Sequence, residues 1–199
     1  MIAILDYQAG NATSVQRALH ALGADSVITS DAMEVARAQR VIFPGVGAAG
    51  ACMANLRASG LDRALKTAID AGTPVLCVCI GFQLLFEHSD EDGGVSCLGV
   101  LPGTVVRFTP DSPALKVPHM GWNEVTFAPD ALARDLPDRH FYFVHSYYCR
   151  PGPGIEILAE AEHGIRFCAG VRRGNLAAVQ FHPEKSGPAG LALLRNFLS

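Results

Sequence analysis

Apolar residues follow two rhythms along this chain. In the first half, short β-branched runs over 2–5, 26–29, 40–43 and 74–79 alternate with stretches over 14–22, 56–71 and 82–87 whose apolar positions recur at helical spacing. Strand runs alternating with helical patterns predict βαβ units around a parallel sheet. Beyond residue 100 the rhythm changes. Segments 104–108, 123–127, 141–148, 155–160, 165–172 and 176–181 have strand character and are separated by Gly, Pro and Asp turns, which predicts antiparallel strands added to the same sheet. A helix over 189–198 closes the chain. With no internal repeat, low-complexity segment or long linker, the expected fold is one α/β domain over 1–199, a mixed, mostly parallel open sheet flanked by helices.

One junction between the rhythms carries a cysteine. In Val75-Leu-Cys-Val-Cys-Ile-Gly-Phe-Gln-Leu-Leu-Phe-Glu87 the strand period gives way to the helix period at Cys79. A side chain on a sharp strand-to-helix turn is pushed out at the carboxyl edge of the sheet, where open α/β folds bind ligands, and Gly81 relieves crowding beside it. The helix that follows offers free N–H groups and a partial positive charge, which favour thiolate, and the Ile80 N–H can serve an oxyanion hole. A cysteine among Val, Leu and Ile also fits a small buried hydrophobe, and Cys77 with Cys79 also fits two strand cysteines on one face.

A base for that thiol is available near the C-terminus, in Val179-Gln-Phe-His-Pro-Glu-Lys-Ser186. The proline biases His182 towards extended geometry, in which residues two apart share a face, so Glu184 can hold one imidazole nitrogen while the other points at sulfur. Nucleophile, base and orienter then occur in order on elements compatible with one sheet edge. The competing reading is a surface His-Pro-Glu turn. His20, His88, His119, His140, His145 and His163 are expected at the surface or in packing.

Arg40-Val-Ile-Phe-Pro-Gly-Val-Gly-Ala-Ala-Gly50 contains a literal G-x-G-x-x-G after a strand. A dinucleotide site also needs an acid at the end of the next strand, and here that strand ends in Cys79-Ile80-Gly81. Pro44 and the absence of a Gly-Lys-Ser/Thr loop weaken nucleotide binding further. A ligand-facing glycine loop remains, with a plain tight turn as its alternative.

Composition narrows the class. Hydrophobic residues make up 49% of 199 positions and charged residues 18%, a globular balance. A net charge of −3 without a basic stripe argues against nucleic acid as a partner. An acid at position 6 interrupts the first apolar run, and no run approaches the roughly 18 residues of a membrane span, so neither a secretion signal nor a membrane anchor is expected. Six cysteines without framework spacing fit a reducing cytoplasm, and Cys77-Val-Cys79 lacks the spacing and second pair of a zinc site.

Taken together, Cys79-Ile-Gly-Phe-Gln83 and His182-Pro-Glu184 resemble the class I, triad-type glutamine amidotransferases, whose fold is flavodoxin-like. Lys116-Val-Pro-His-Met-Gly-Trp-Asn123, Tyr142-Phe-Val-His-Ser-Tyr-Tyr148, Gln180-Phe-His-Pro-Glu-Lys-Ser186 and Pro44-Gly-Val-Gly47 are similar, more narrowly, to the glutaminase subunits of imidazole glycerol phosphate synthases in histidine biosynthesis. The resemblance spans nearly the whole chain. It implies glutamine as substrate, a catalytic set of Cys79, His182 and Glu184, and an oxyanion hole from the Val46 and Ile80 N–H groups. By position, Gly45, Gln83, Glu91, Ser146 and Tyr147 match glutamine-binding residues. It also implies a heterodimer with a (βα)8-barrel cyclase subunit, with Asn11, Trp122, Tyr142 and Lys185 near the interface, and no cofactor or metal. Glycines 45 and 47 permit a peptide flip, so the oxyanion loop is expected to be unformed at rest.

Three positions depart from the family pattern: Cys77 and Gln8 stand where glycines are usual, and Phe82 where Met is usual. Cys77 raises the prospect of a competing oxidation site beside Cys79. A paralogue supplying ammonia to another synthase, and a catalytically idle binding subunit, remain alternatives at this level.

Overall fold

Strands β1 (Ile2–Leu5), β4 (Val75–Val78) and β14 (Leu176–Val179) are buried at every position, as parallel strands covered on both faces must be. The computed structural model describes residues 1–109 and 115–199. In it, β2 (Ser26–Thr29), β1, β3 (Arg40–Phe43), β4 and β14 lie side by side in that order, all parallel. The sheet continues through β13 (Arg166–Arg173), β11 (Tyr147–Pro151) and β7 (Gly103–Arg107), each antiparallel to the strand before it, to the short edge strands β5 (His88–Ser89), parallel to β7, and β6 (Val95–Ser96). On a side branch, β12 (Glu156–Glu162) pairs with β13 and with β9 (Thr126–Phe127).

Alternation along the parallel strands sorts their side chains to two faces. Leu5, Val41, Phe43, Val75 and Cys77 pack with Met53, Leu56, Leu61 and Leu65 of helices α3 (Ala49–Ser59) and α4 (Leu61–Asp70). Ile4, Ile42, Leu76 and Val78 pack on the other side with Val15 and Leu19 of α1 (Ala12–Ala21) and Leu193, Leu194 and Phe197 of α6 (Gly187–Leu198). Each fully buried Leu or Phe contributes about 1.5–3 kcal/mol, so both faces must be covered for the sheet to persist. The short helix α2 (Ala32–Arg37) adds Val35 to the first face and starts at Asp31, whose carboxylate accepts from Met33 N–H at 2.7 Å.

Several elements differ from the sequence expectation. The helical pattern over 56–71 belongs to two helices: the chain turns at Gly60 (φ 73°), a left-handed conformation that glycine adopts without strain, and α3 begins earlier than its apolar spacing indicates. The run at 123–127 divides into β8 (His119–Glu124) and β9, and the run at 141–148 breaks at Ser146 into β10 (His140–His145) and β11. Strands β8 and β10 do not join the main sheet; they pair with each other as a separate antiparallel ribbon. Among the described residues no helix is long and apolar enough to cross a membrane.

Candidate active site

The turn after β4 is built around Cys79. Its N–H donates to Val179 O at 2.9 Å, extending the β4–β14 ladder by one step, and the backbone then takes φ 56° and ψ −112°. Holding a non-glycine residue there costs on the order of 1–3 kcal/mol. The expected helix over 82–87 is the four-residue α5 (Ile80–Gln83), which starts at once after the cysteine and gives way to turns that feed β5. Gly81 makes this possible, because a Cβ at that position would lie 2.2 Å from Phe43 O. The kink also separates Cys79 from Cys77. Cys77 sits in the core against α3 and α4, and burial pushes its thiol far up, so it is not the competing oxidation site foreseen from sequence.

Beyond β14 the chain brings His182 back beside Cys79. His182 N–H donates to Tyr142 O at 2.9 Å, and its carbonyl accepts from Ser186 Oγ at 2.6 Å, so the backbone is held on both sides. His182 Nδ1 donates to Glu184 Oε1 at 2.8 Å, and both side chains are fully buried. The 183–185 turn that carries Glu184 is pressed onto α6, where a Cβ on Gly190 would fall 1.8 Å from Pro183 O. Burial opposes charge on this imidazole. The charge and hydrogen bonding of the Cys79 sulfur, and then Glu184, outweigh it and raise His182 from 6.5 to about 10. Among the described residues His182 Nε2 has no hydrogen-bond partner besides its contact with the Cys79 sulfur, which leaves it free for a proton in transit.

A cavity of about 310 Å³ opens in front of Cys79. It is lined by Val46, Gly47, Ile80, Gln83, Glu91, Ser146 and Tyr147, with Pro118, Val144 and His145. Of the residues that the sequence assigned to glutamine, Gly45 is not in this wall. It lies behind it, where a Cβ would fall 1.9 Å from the Tyr7 hydroxyl, which itself donates to Pro44 O at 2.9 Å. Gly45 thus serves close packing, and the freedom to flip rests with Gly47 at φ 132°.

Glu91 is placed at the mouth of α3, accepting from Ala49 N–H at 2.9 Å; beside it Asp92 accepts from Gly50 N–H at 3.0 Å. Burial pushes the Glu91 carboxyl up. These two carboxylates occupy the N–H groups that a pyrophosphate would need, which removes the dinucleotide reading of Gly45, Gly47 and Gly50.

The four residues assigned to a partner surface divide. Trp122 is 58% exposed and packs edge-on to the half-buried Tyr142 across the β8–β10 ribbon, at 6.2 Å between centroids, and Lys185 is exposed. Asn11 faces inward: its Nδ2 donates to Glu184 Oε1 at 2.5 Å, behind the His182 imidazole. Sequence reading overlooked Gln180, which donates from Nε2 to Cys79 Sγ at 3.7 Å and accepts from Gln83 Nε2 at 2.9 Å. Its place two residues before His182 in an extended run was the available signal. It also overlooked His145, which lies in the cavity wall.

Sulfur at the carboxyl edge of a parallel sheet, with a charged imidazole beside it and a cavity in front, is the chemistry of α/β enzymes that transfer acyl groups through a cysteine. Known families narrow that class. Residues 3–199 match the family described as "Glutamine amidotransferase class-I", and the chain belongs to that family. It is 50% identical to the imidazole glycerol phosphate synthase subunit HisH of Aromatoleum aromaticum, covering 100% of this chain and 97% of that protein. It is 47% identical to the subunit of the same name from Pseudomonas putida, covering 100% and 96%. Among solved structures, one titled as a crystal structure of glutamine amidotransferase superposes with a TM-score of 0.77 at 22% identity, covering 99% of this chain and 96% of that one. PurLQS from Thermotoga maritima gives 0.71 at 15% identity, covering 99% and 96%. At those identities the two structures speak for the fold alone.

Proposed function

We propose that this chain, as a single amidotransferase domain over 1–199, is the glutaminase subunit of an imidazole glycerol phosphate synthase. Cys79 sulfur attacks the side-chain amide carbon of glutamine, and His182 gives its Nε2 proton to the departing ammonia. Water, deprotonated by His182, then releases glutamate from the thioester. Glu184, braced by Asn11, keeps the imidazole in place and balances its charge. The Val46 and Ile80 N–H groups receive the oxyanion, Val46 after the loop flips at Gly47. Gln83, Glu91, Ser146 and Tyr147 hold the amino-acid end of glutamine, with Gly45 shaping the wall from behind.

The observation that carries this reading is the buried His182–Glu184 pair set against Cys79, which itself lines an open cavity. The choice of acceptor rests on relatives named HisH that match almost end to end. Ammonia passes to a cyclase subunit docked over Trp122, Tyr142 and Lys185, in the cytoplasm and with lyase chemistry on the partner. Asn11, half-buried at the start of α1, has its amide engaged with Glu184.

Glutamate release is the test, measured on the chain alone and with a cyclase subunit carrying its nucleotide ligand. A rise of orders of magnitude in the complex is expected. Cys79→Ala abolishes the activity and leaves complex formation intact. Full activity in that variant overturns the mechanism. No rise with the cyclase, while Cys79 still reacts with a glutamine-like affinity label, moves the chain to another ammonia acceptor.

A further inference from the structure

Two buried histidines outside the proposed catalytic set form part of an unbroken hydrogen-bond line that ends at the nucleophile. Asn123 Nδ2 donates to Glu162 O at 2.7 Å and lies 3.1 Å from His119 Nε2. His119 Nδ1 is 2.9 Å from His145 Nε2, and His145 Nδ1 is 2.8 Å from Tyr147 O. Gln83 Nε2 donates to the same Tyr147 carbonyl at 2.9 Å and to Gln180 Oε1 at 2.9 Å. Gln180 Nε2 then reaches Cys79 Sγ at 3.7 Å.

The proton positions along this line are fixed from both ends. A carbonyl only accepts, so His145 Nδ1 carries the proton and its Nε2 is a bare acceptor. His119 must therefore donate from Nδ1 and accept from Asn123 at Nε2. Asn123 cannot turn around, since its Oδ1 accepts from Glu124 N–H at 2.8 Å. Both rings must stay neutral. Burial, the largest cause for each, lowers His119 to about 4 and His145 to about 3, with His163 stacked on His119 and His182 across from His145 adding to the effect.

We infer that His119 and His145 are positioning residues for glutamine binding: they lock the Tyr147 carbonyl, and with it the Ser146–Tyr147 turn of the cavity wall, in register with Gln83. This inference rests on the glutaminase reading of the cavity. Position 146 is where β10 leaves the ribbon and β11 enters the main sheet; there the Ser146 carbonyl accepts from Phe108 N–H at 3.0 Å and Tyr147 pairs with Arg107 of β7, while the Tyr147 carbonyl takes hydrogen bonds from the His145 and Gln83 side chains. The imidazole pair thus fixes the direction of that carbonyl from the ribbon side. A buried carbonyl that keeps one of two donors weakens the turn without unfolding the strand.

The test compares His145→Phe, which keeps ring volume and removes both polar atoms, with His145→Asn, whose Nδ2 reaches the place of Nδ1. Glutamine turnover is measured on the full chain in complex with the cyclase. His145→Phe is expected to raise KM for glutamine about 10- to 100-fold with kcat within about threefold. His145→Asn recovers most of that loss, and Cys79 is alkylated by iodoacetamide at similar rates in all forms. Should the phenylalanine variant fail to fold, His145→Gln, too long to place a donor at Tyr147 O, gives the same KM rise. Equal losses in the Asn, Gln and Phe variants, or a fall in kcat at unchanged KM, overturn the inference. Absence of any Cys79-dependent turnover in the unmutated chain would instead overturn the glutaminase reading beneath it.

Discussion

Gly81→Ala separates local propensity from tertiary packing, because the two predict opposite signs. Alanine is the better helix former by about 1 kcal/mol, and Gly81 has an ordinary negative φ, so α5 considered alone should gain from the change. The fold dictates otherwise. The new Cβ would lie 2.2 Å from Phe43 O, 3.1 Å from Phe43 C and 3.2 Å from Phe43 Cδ1, where an ordinary contact begins at 3.4 Å. The first of these is backbone at the end of β3 and cannot swing aside, so β3 and the elbow must part by roughly 1 Å. Overpacking of this kind costs about 1–3 kcal/mol, and a 1 Å misplacement of reacting groups costs about 100-fold in rate. Urea unfolding should show a lower midpoint at unchanged slope, and glutaminase kcat should fall by about two orders of magnitude. A variant as stable as the parent and within threefold of its activity would refute the reasoning.

Two more expectations concern charge. His182 is raised from 6.5 to about 10, so its proton is held more tightly in the native state than in the unfolded chain; the stabilisation is complete below about pH 6.5 and is lost as pH rises through 10. Titration of His182 by NMR should show a midpoint near 10, and Cys79→Ala, which removes the largest raising influence, should bring it down; an unchanged midpoint would contradict the assigned cause. Asp130 receives two bonds from Arg172, at 2.6 and 2.9 Å, and one from Leu132 N–H at 2.7 Å. Burial opposes its charge, but these bonds hold its carboxyl below 3.8. Asp130→Ala should cost about 2 kcal/mol at pH 7. The gap in urea midpoint between parent and variant should close as pH falls below 3.8, since a depressed carboxyl loses its stabilisation on protonation; a gap that is constant from pH 7 to pH 3 would exclude the ion pair as its source.

The local rhythm of the chain carried much of the architecture. Fully apolar runs such as 40–43 and 75–78 have no polar side to show to water, so they had to become strands covered on both faces. The break of period at Cys79 marked the elbow for the same reason: apolar spacing must follow the backbone that buries it. His182-Pro183-Glu184 was legible as a pair, and His182 is extended as its proline requires, but Glu184 reaches the imidazole from a 3-10 turn over Pro183–Lys185 and not from a shared strand face. Cys77 and Cys79 show the limit of that logic, since a single left-handed residue sends two cysteines of one run to opposite sides of the sheet.

What escaped the sequence depends on partners distant in the chain. Helices α3 and α4 look like one amphipathic run until the turn at Gly60 is allowed, and the β8–β10 ribbon is indistinguishable by alternation from strands of the main sheet. Gly45 reads as a flexible loop residue, yet Tyr7, 38 positions earlier in the chain, makes it a packing residue. Asn11, His119 and His145 carry no local mark of these bonds, because a hydrogen bond between side chains far apart in sequence depends on where two backbones end up. Periodicity and short-range geometry therefore determined the strands, the nucleophile and its base, whereas only the tertiary structure decided which buried polar groups brace them. A polar side chain in a dry interior must find a partner, and that partner is chosen by the fold.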